Sequence, residues 1–189
     1  MIQYTNRKQQ TYFLKVGTTK TGKSRYYASM KSDKGANADA MPDGYEFREN
    51  VNGQVSVGKP ITHKLEDSEI KCVRSLLEKL KCPNMLELKK ESIIIHTAEV
   101  NDNTIRELTA FTLRRFEDIR ASFIRDAHYQ AMLRFNLVEK EKRLFQVERM
   151  SFRGMGGWIW IDSPAPLKKL ARRFIPLLDD TEKLFEEYY

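Results

Sequence analysis

Along the first third of the chain, apolar residues recur at every second position, the period of a half-buried strand. Tyr12, Leu14 and Val16 would share one strand face, and Tyr26, Ala28 and Met30 supply the matching face of a second strand over residues 25–31. Between them lies a loop rich in glycine and threonine. After the looser stretch SDKGANADAMPDG, Tyr45–Val51 and Gln54–Val57 flank Asn52-Gly53. Asn-Gly between alternating segments predicts a hairpin with a type I′ turn, because both residues tolerate positive φ. Residues 11–59 therefore read as two consecutive β-hairpins.

Beyond Pro60 the period changes. Ile70, Val73, Leu76, Leu77 and Leu80 follow helical spacing, with Asp67 or Ser68 as cap and Cys82-Pro83 as terminator. A short hairpin follows, Met85–Leu88 with Ile93–Thr97. One long helix then starts near Asn103, its stripe running through Ile105, Leu108, Thr112, Phe116, Ile119 and Phe123. Strands are predicted over Ala131–Val138, Arg143–Phe152 and Trp158–Ile161. Ser163 with Pro164 and Pro166 marks a helix start, with Leu167, Leu170, Ala171 and Phe174 inward. A short acidic helix over residues 180–187 ends the chain. Strand pairs joined by short turns and separated by helices give an α+β class with largely antiparallel sheet. The expected organisation is a basic β-hairpin subdomain over residues 1–59 and an α+β region over 60–189, packed as one globular unit.

Composition adds compartment and redox state. The 189 residues are 41% hydrophobic and 31% charged, and their longest apolar runs, Ile93–Ile95 and Trp158–Ile161, fall far short of a membrane span. The opening MIQYTNRKQQ has no apolar core after its charges, so no secretory signal is expected and a cytoplasmic protein is. Cys72 and Cys82, placed in one helical pattern, would stand about 15 Å apart, beyond disulfide reach. They are expected to be free. His63, His96 and His128 stand singly, which gives no metal-ligand spacing.

Charge changes the picture more. Residues 1–31 hold Arg7, Lys8, Lys15, Lys20, Lys23, Arg25 and Lys31 with no acid, whereas the rest of the chain carries 26 basic and 26 acidic side chains. The whole formal excess of +7 thus lies at the start. The last eleven residues lean acidic, with Asp179, Asp180, Glu182, Glu186 and Glu187 against Lys183. Such asymmetry implies an anionic partner at the N-terminal end, or pairing between the two ends.

Within that basic stretch, Gly17–Ser24 matches the phosphate-loop pattern G-x-x-x-x-G-K-[ST]. A phosphate loop works because its N–H groups wrap phosphates at a helix N-terminus. Here Arg25–Lys31 alternates as a strand, so the match reads as a hairpin tip. Glu87-Leu-Lys89 resembles the acid–lysine pair of metal-dependent nucleases, with Asp67 an available second carboxylate, but alternating charge on a strand face explains it as well. Three stretches, KVGTTKTGKSRYY, MLRFNLVEKEKRLFQVERMSFRG and DSPAPLKKLARRFIPLL, resemble a set of bacterial proteins of unknown function. The resemblance implies a bacterial origin, and in that set the position matching Ser24 often carries proline, which offers no hydroxyl to a magnesium ion.

If Tyr12, Leu14 and Val16 face inward, then Phe13, Lys15, Arg25, Tyr27 and Lys31 face outward, with Lys20 and Lys23 in the loop. Cations interleaved with aromatics suit nucleic acid, since lysine and arginine neutralise phosphates and aromatic faces stack on unpaired bases. The expected function is a non-enzymatic nucleic-acid-binding accessory protein using Phe13, Lys15, Lys20, Lys23, Arg25, Tyr27 and Lys31. No catalytic residue, cofactor, metal or membrane contact is expected. A protein-interaction subunit of a bacterial complex is the alternative, and a nucleotide-binding protein the third reading.

Overall fold

The computed structural model describes residues 1–33, 35–151 and 156–186. The chain divides into two compact units, Met1–Ile61 and Thr62–Tyr189. Its class is α+β, with 27% of residues helical and 37% in strands.

In the first unit, β1 (Gln3–Thr5), β2 (Thr11–Thr18), β3 (Ser24–Ser29) and β4 (Ala36–Asn37) form one sheet, and β5 (Glu46–Glu49) with β6 (Val55–Gly58) forms a two-stranded ribbon. Strand β2 is the centre of the sheet, pairing antiparallel with β1, β3 and β4. Its partner β3 stops at Ser29, so Met30, expected inward, is exposed outside the strand. The β1 end docks on the ribbon. Tyr4 stacks on Phe47 with centroids 5.5 Å apart, its hydroxyl donates to Glu49 Oε2 at 2.9 Å, and Asn6 Nδ2 donates to the Gly53 carbonyl at 2.6 Å.

One turn design closes all three hairpins of this unit. In each, the fourth residue donates its N–H to the first residue's carbonyl, and the first donates to the carbonyl of the fifth. The sets are Asn6/Gln9/Gln10, Thr19/Gly22/Lys23 and Asn50/Gly53/Gln54. The first side chain closes the ring, as Asn6 Oδ1, Thr19 Oγ1 and Asn50 Oδ1 accept the fifth residue's N–H at 2.8, 3.1 and 3.0 Å. The fourth position is left-handed each time, with φ of 61° at Gln9 and 80° at both Gly22 and Gly53. Gly53 alone is left-handed at the Asn-Gly pair, so the expected type I′ turn is instead a turn followed by a one-residue bulge.

The second unit is a five-stranded antiparallel sheet in the order β11-β10-β9-β8-β7, built from β7 (Asn84–Leu88), β8 (Ser92–Thr97), β9 (Gln130–Glu139), β10 (Leu144–Ser151) and β11 (Gly157–Pro166). One face carries Ile93, Ile95, Leu133, Phe135, Leu137, Phe145 and Val147. These pack into a single core with Ile70, Val73 and Leu77 of α1 (Asp67–Leu77), with Leu167, Leu170, Ala171 and Phe174 of α4 (Leu167–Phe174), with the 3-10 turn Ile175–Asp179, and with Leu184 of α5 (Thr181–Glu186). Helix α1 opens on a reciprocal capping box between Glu66 and Glu69. It ends before Cys82, which therefore lies outside the helix, and both cysteines are free.

Two expectations are corrected in this unit. The single helix predicted from Asn103 is two, α2 (Asp102–Ala110) and α3 (Phe116–Asp126), because Glu117 and Asp118 favour a fresh N-terminus and Arg115 Nε pairs with Asp118 at 3.1 Å. The helix predicted from Ser163 begins only at Leu167. Residues up to Pro166 extend β11, an edge strand, where proline's missing N–H is tolerated. Phe152, Arg153, Glu187 and the intervening loop expected near residue 154 lie outside the described residues. Among the described residues no helix is long and apolar enough to cross a membrane.

Candidate nucleic-acid interface

The hairpin β2–β3 sets the candidate residues by register. Phe13 pairs with Ser29, Lys15 with Tyr27 and Gly17 with Arg25, so Phe13, Lys15, Tyr27 and Arg25 occupy one face, as alternation requires. That face is not open throughout. β4 pairs with β2 at Lys15 and Val16, and the Ser32 carbonyl comes within hydrogen-bond distance of the lysine ammonium.

Lys15 is consequently fully buried, with 0% of its surface exposed, and its ammonium donates to the Ser32 carbonyl and to Asn37 Oδ1, both at 2.7 Å. The expectation that its side chain is open to solvent is corrected: Ser32 and Asn37 supply its acceptors. Phe13 lies beside it, with the ammonium 6.0 Å from the ring centroid. Tyr27 is half-buried against Gly17 and Gly35, where an added Cβ would approach its hydroxyl to 2.6 Å. The two aromatics are partly used inside the unit.

Lys20, Lys23, Arg25 and Lys31 are exposed. The first two ride the turn whose ring is locked by Thr19 and Gly22, so the tip presents its cations from a defined backbone. Gly22-Lys23-Ser24 runs directly into β3, and the strand–loop–helix frame of a phosphate loop is not formed there. Arg7, half-buried on the first turn, reaches back to the Val51 carbonyl at 2.6 Å.

The sequence reading of Glu87-Leu-Lys89 also resolves. Glu87 Oε2 lies 3.1 Å from His96 Nε2, and its Oε1 lies 3.6 Å from Lys89 Nζ. The His96 hydrogen bond holds its carboxyl below the ordinary carboxylate range, against the opposing effect of burial. Among the described residues no three His, Cys, Asp or Glu side chains gather to hold a metal.

A cavity of about 940 Å³ opens at the end of β8, lined by Lys81, Cys82, Arg120, His128 and Asp179 among others. Asp179 accepts the backbone N–H groups of Lys81 and Cys82 at 2.9 Å. Burial pushes the Cys82 thiol up to about 12, reinforced by the Asp179 carboxylate, so this thiol is not an activated nucleophile.

Missed altogether by the sequence reading is a polar network on the sheet face opposite the core. Glu148, in mid-strand β10 and only 5% exposed, stands level with Arg134 of β9 and Trp160 of β11. Its Oε2 accepts Arg134 Nε at 2.5 Å and Asn136 Nδ2 at 2.7 Å, and its Oε1 accepts the Trp160 indole N–H at 2.8 Å. The Arg134 guanidinium lies 4.3 Å from the Trp158 ring centroid. One signal was legible: a glutamate interrupting the apolar run Leu144-Phe-Gln-Val-Glu148. No family model, no curated protein and no solved structure matches this chain.

Proposed function

We propose that this chain is a nucleic-acid-binding accessory protein whose N-terminal hairpin meets phosphates through Lys20, Lys23, Arg25 and Lys31. The observation that carries the reading is the exposure of these four cations in a 31-residue stretch without an acid. Lys15 drops out of the contact set, and Phe13 and Tyr27 are half-buried. Neutralising about four phosphates gives a log–log salt slope near −3 to −4, so affinity falls roughly a hundredfold between 50 and 200 mM salt. Fluorescence anisotropy with labelled single- and double-stranded oligonucleotides tests this. The combined variant Lys20→Glu, Lys23→Glu, Arg25→Glu should weaken both and flatten the slope. An unchanged slope removes the hairpin from the interface.

One observation favours a protein partner as the second reading. Phe111 and Leu113, in the connection between α2 and α3, are 89% and 107% exposed beside Arg114 and Arg115. Absence of binding to DNA and RNA even at low salt would shift the preference to that surface. For the third reading, calorimetry with ATP or GTP and magnesium should show no saturable heat, in the unmodified protein and in Lys23→Ala alike.

A further inference from the structure

The network around Glu148 is an expensive way to finish a sheet face. A buried carboxylate and guanidinium lose hydration that their attraction only partly restores, and apolar residues of similar volume often serve stability as well or better. What the network does supply is orientation. Trp160 is 72% exposed, yet its indole N–H is fixed to Glu148 Oε1, so a large aromatic surface faces solvent with its ring already oriented. Asn136, held in turn by the Ser92 hydroxyl at 2.6 Å, completes the brace behind Glu148.

Arg134 carries the second half of the argument. Its Nε is committed to Glu148 and its guanidinium carbon lies over the Trp158 ring, while the structure gives its two terminal nitrogens no acceptor among the described residues. The side chain keeps 26% of its surface exposed. A planar cation with unused N–H groups, hydrogen-bonded to the same carboxylate as an exposed indole, is complementary to an anion attached to a planar ring.

We infer that this face binds an unpaired nucleotide, its base stacking on Trp160 and its phosphate meeting the free edge of Arg134. The ligand class is that of the hairpin reading, but the site lies on other residues and discriminates differently: a base inside a duplex cannot offer its face to Trp160, whereas a single strand can. The hairpin would thus recognise charge, and the sheet face would recognise the absence of pairing.

Trp158 and Trp160 are the chain's two tryptophans, so selectively excited tryptophan fluorescence reports on this face. Titrating the full-length protein with thymidine monophosphate should give saturable quenching. Thymidine without its phosphate should bind about tenfold more weakly, and Arg134→Gln should abolish that difference. With a single-stranded oligothymidine, Trp160→Ala should lose roughly ten- to a hundredfold in affinity by anisotropy. Trp160→Phe should keep most of it, and duplex affinity should stay unchanged in both variants. Glu148→Gln, which preserves shape, should weaken the single strand less than Trp160→Ala does. The charge-reversed hairpin should retain mononucleotide quenching, which separates failure of the hairpin reading from failure of this one. Non-saturable quenching, equal affinity for nucleoside and monophosphate, or an oligothymidine that binds equally well to Trp160→Ala would each overturn the inference.

Discussion

The two units solve the stability problem by different means. Among the described residues, the buried hydrophobic side chains of the first unit are Leu14 and Ala38, while the second unit gathers a continuous core from four helical segments and one sheet face. The first unit is instead fixed by hydrogen bonds: three turns locked by their own Asn or Thr side chains, a buried Asn6, and a buried Lys15 with two acceptors. Small sheets bury too little apolar surface to rely on it, and polar contacts then set the structure. The lesson is that a substitution's cost should follow packing volume in the second unit and hydrogen-bond satisfaction in the first.

The largest effect expected from that contrast is in the core. Phe135→Ala should cost about 3–5 kcal/mol, mostly as lost transfer energy and cavity, measured by urea unfolding. A loss under 1 kcal/mol would mean the second unit is not held by its core. Next comes Lys15→Ala, which removes a buried stem and strands the Ser32 carbonyl and Asn37 side chain, for about 2–4 kcal/mol. Lys15→Met, which keeps the volume but not the donor, should recover part of this. Recovery of the whole would show that the lysine acts by packing, as residues of the second unit do. Asn50→Ala, which opens one of three equivalent turns, should cost roughly 1 kcal/mol.

The smallest effect concerns pH. Burial pushes the Asp179 carboxyl up, but the Lys81 and Cys82 backbone N–H groups that it accepts outweigh this and leave it below its ordinary value. A carboxyl depressed on folding contributes stability above its unfolded pKa, and that contribution is lost as pH falls through the folded one. Asp179→Asn should therefore lower stability near neutral pH and shrink the difference from the unmodified protein in acid. Cys82 runs the other way: the folded thiol holds its proton more tightly, so its contribution is present below the unfolded pKa near 9 and is lost as pH rises toward about 12.

The sequence made the local features legible and left the long-range ones dark. Hairpin β5–β6, the α1 stripe and the inner face of α4 all depend on neighbours a few residues away, and each is where periodicity puts it. Alternation also assigned Lys15 to the correct face of β2, but period alone cannot say that Ser32 and Asn37 come to that face. Ser163-Pro164 carries the same letters whether it starts a helix or extends an edge strand, and only the sheet order decides. The network of Arg134, Glu148 and Trp160 comes from three strands whose registers are set by pairing, so its members have no sequence spacing to recognise.

Lys15 has one more consequence, for how this molecule can be watched. A fully buried amine reacts with acylating reagents only when its burial is broken, whereas Lys20, Lys23 and Lys31 are exposed. The ratio of labelling at Lys15 to labelling at Lys20 thus measures how often the ammonium is released from Ser32 and Asn37. The first unit carries its own local-opening clock, and a ligand that holds Ser32 and Asn37 in place would slow it.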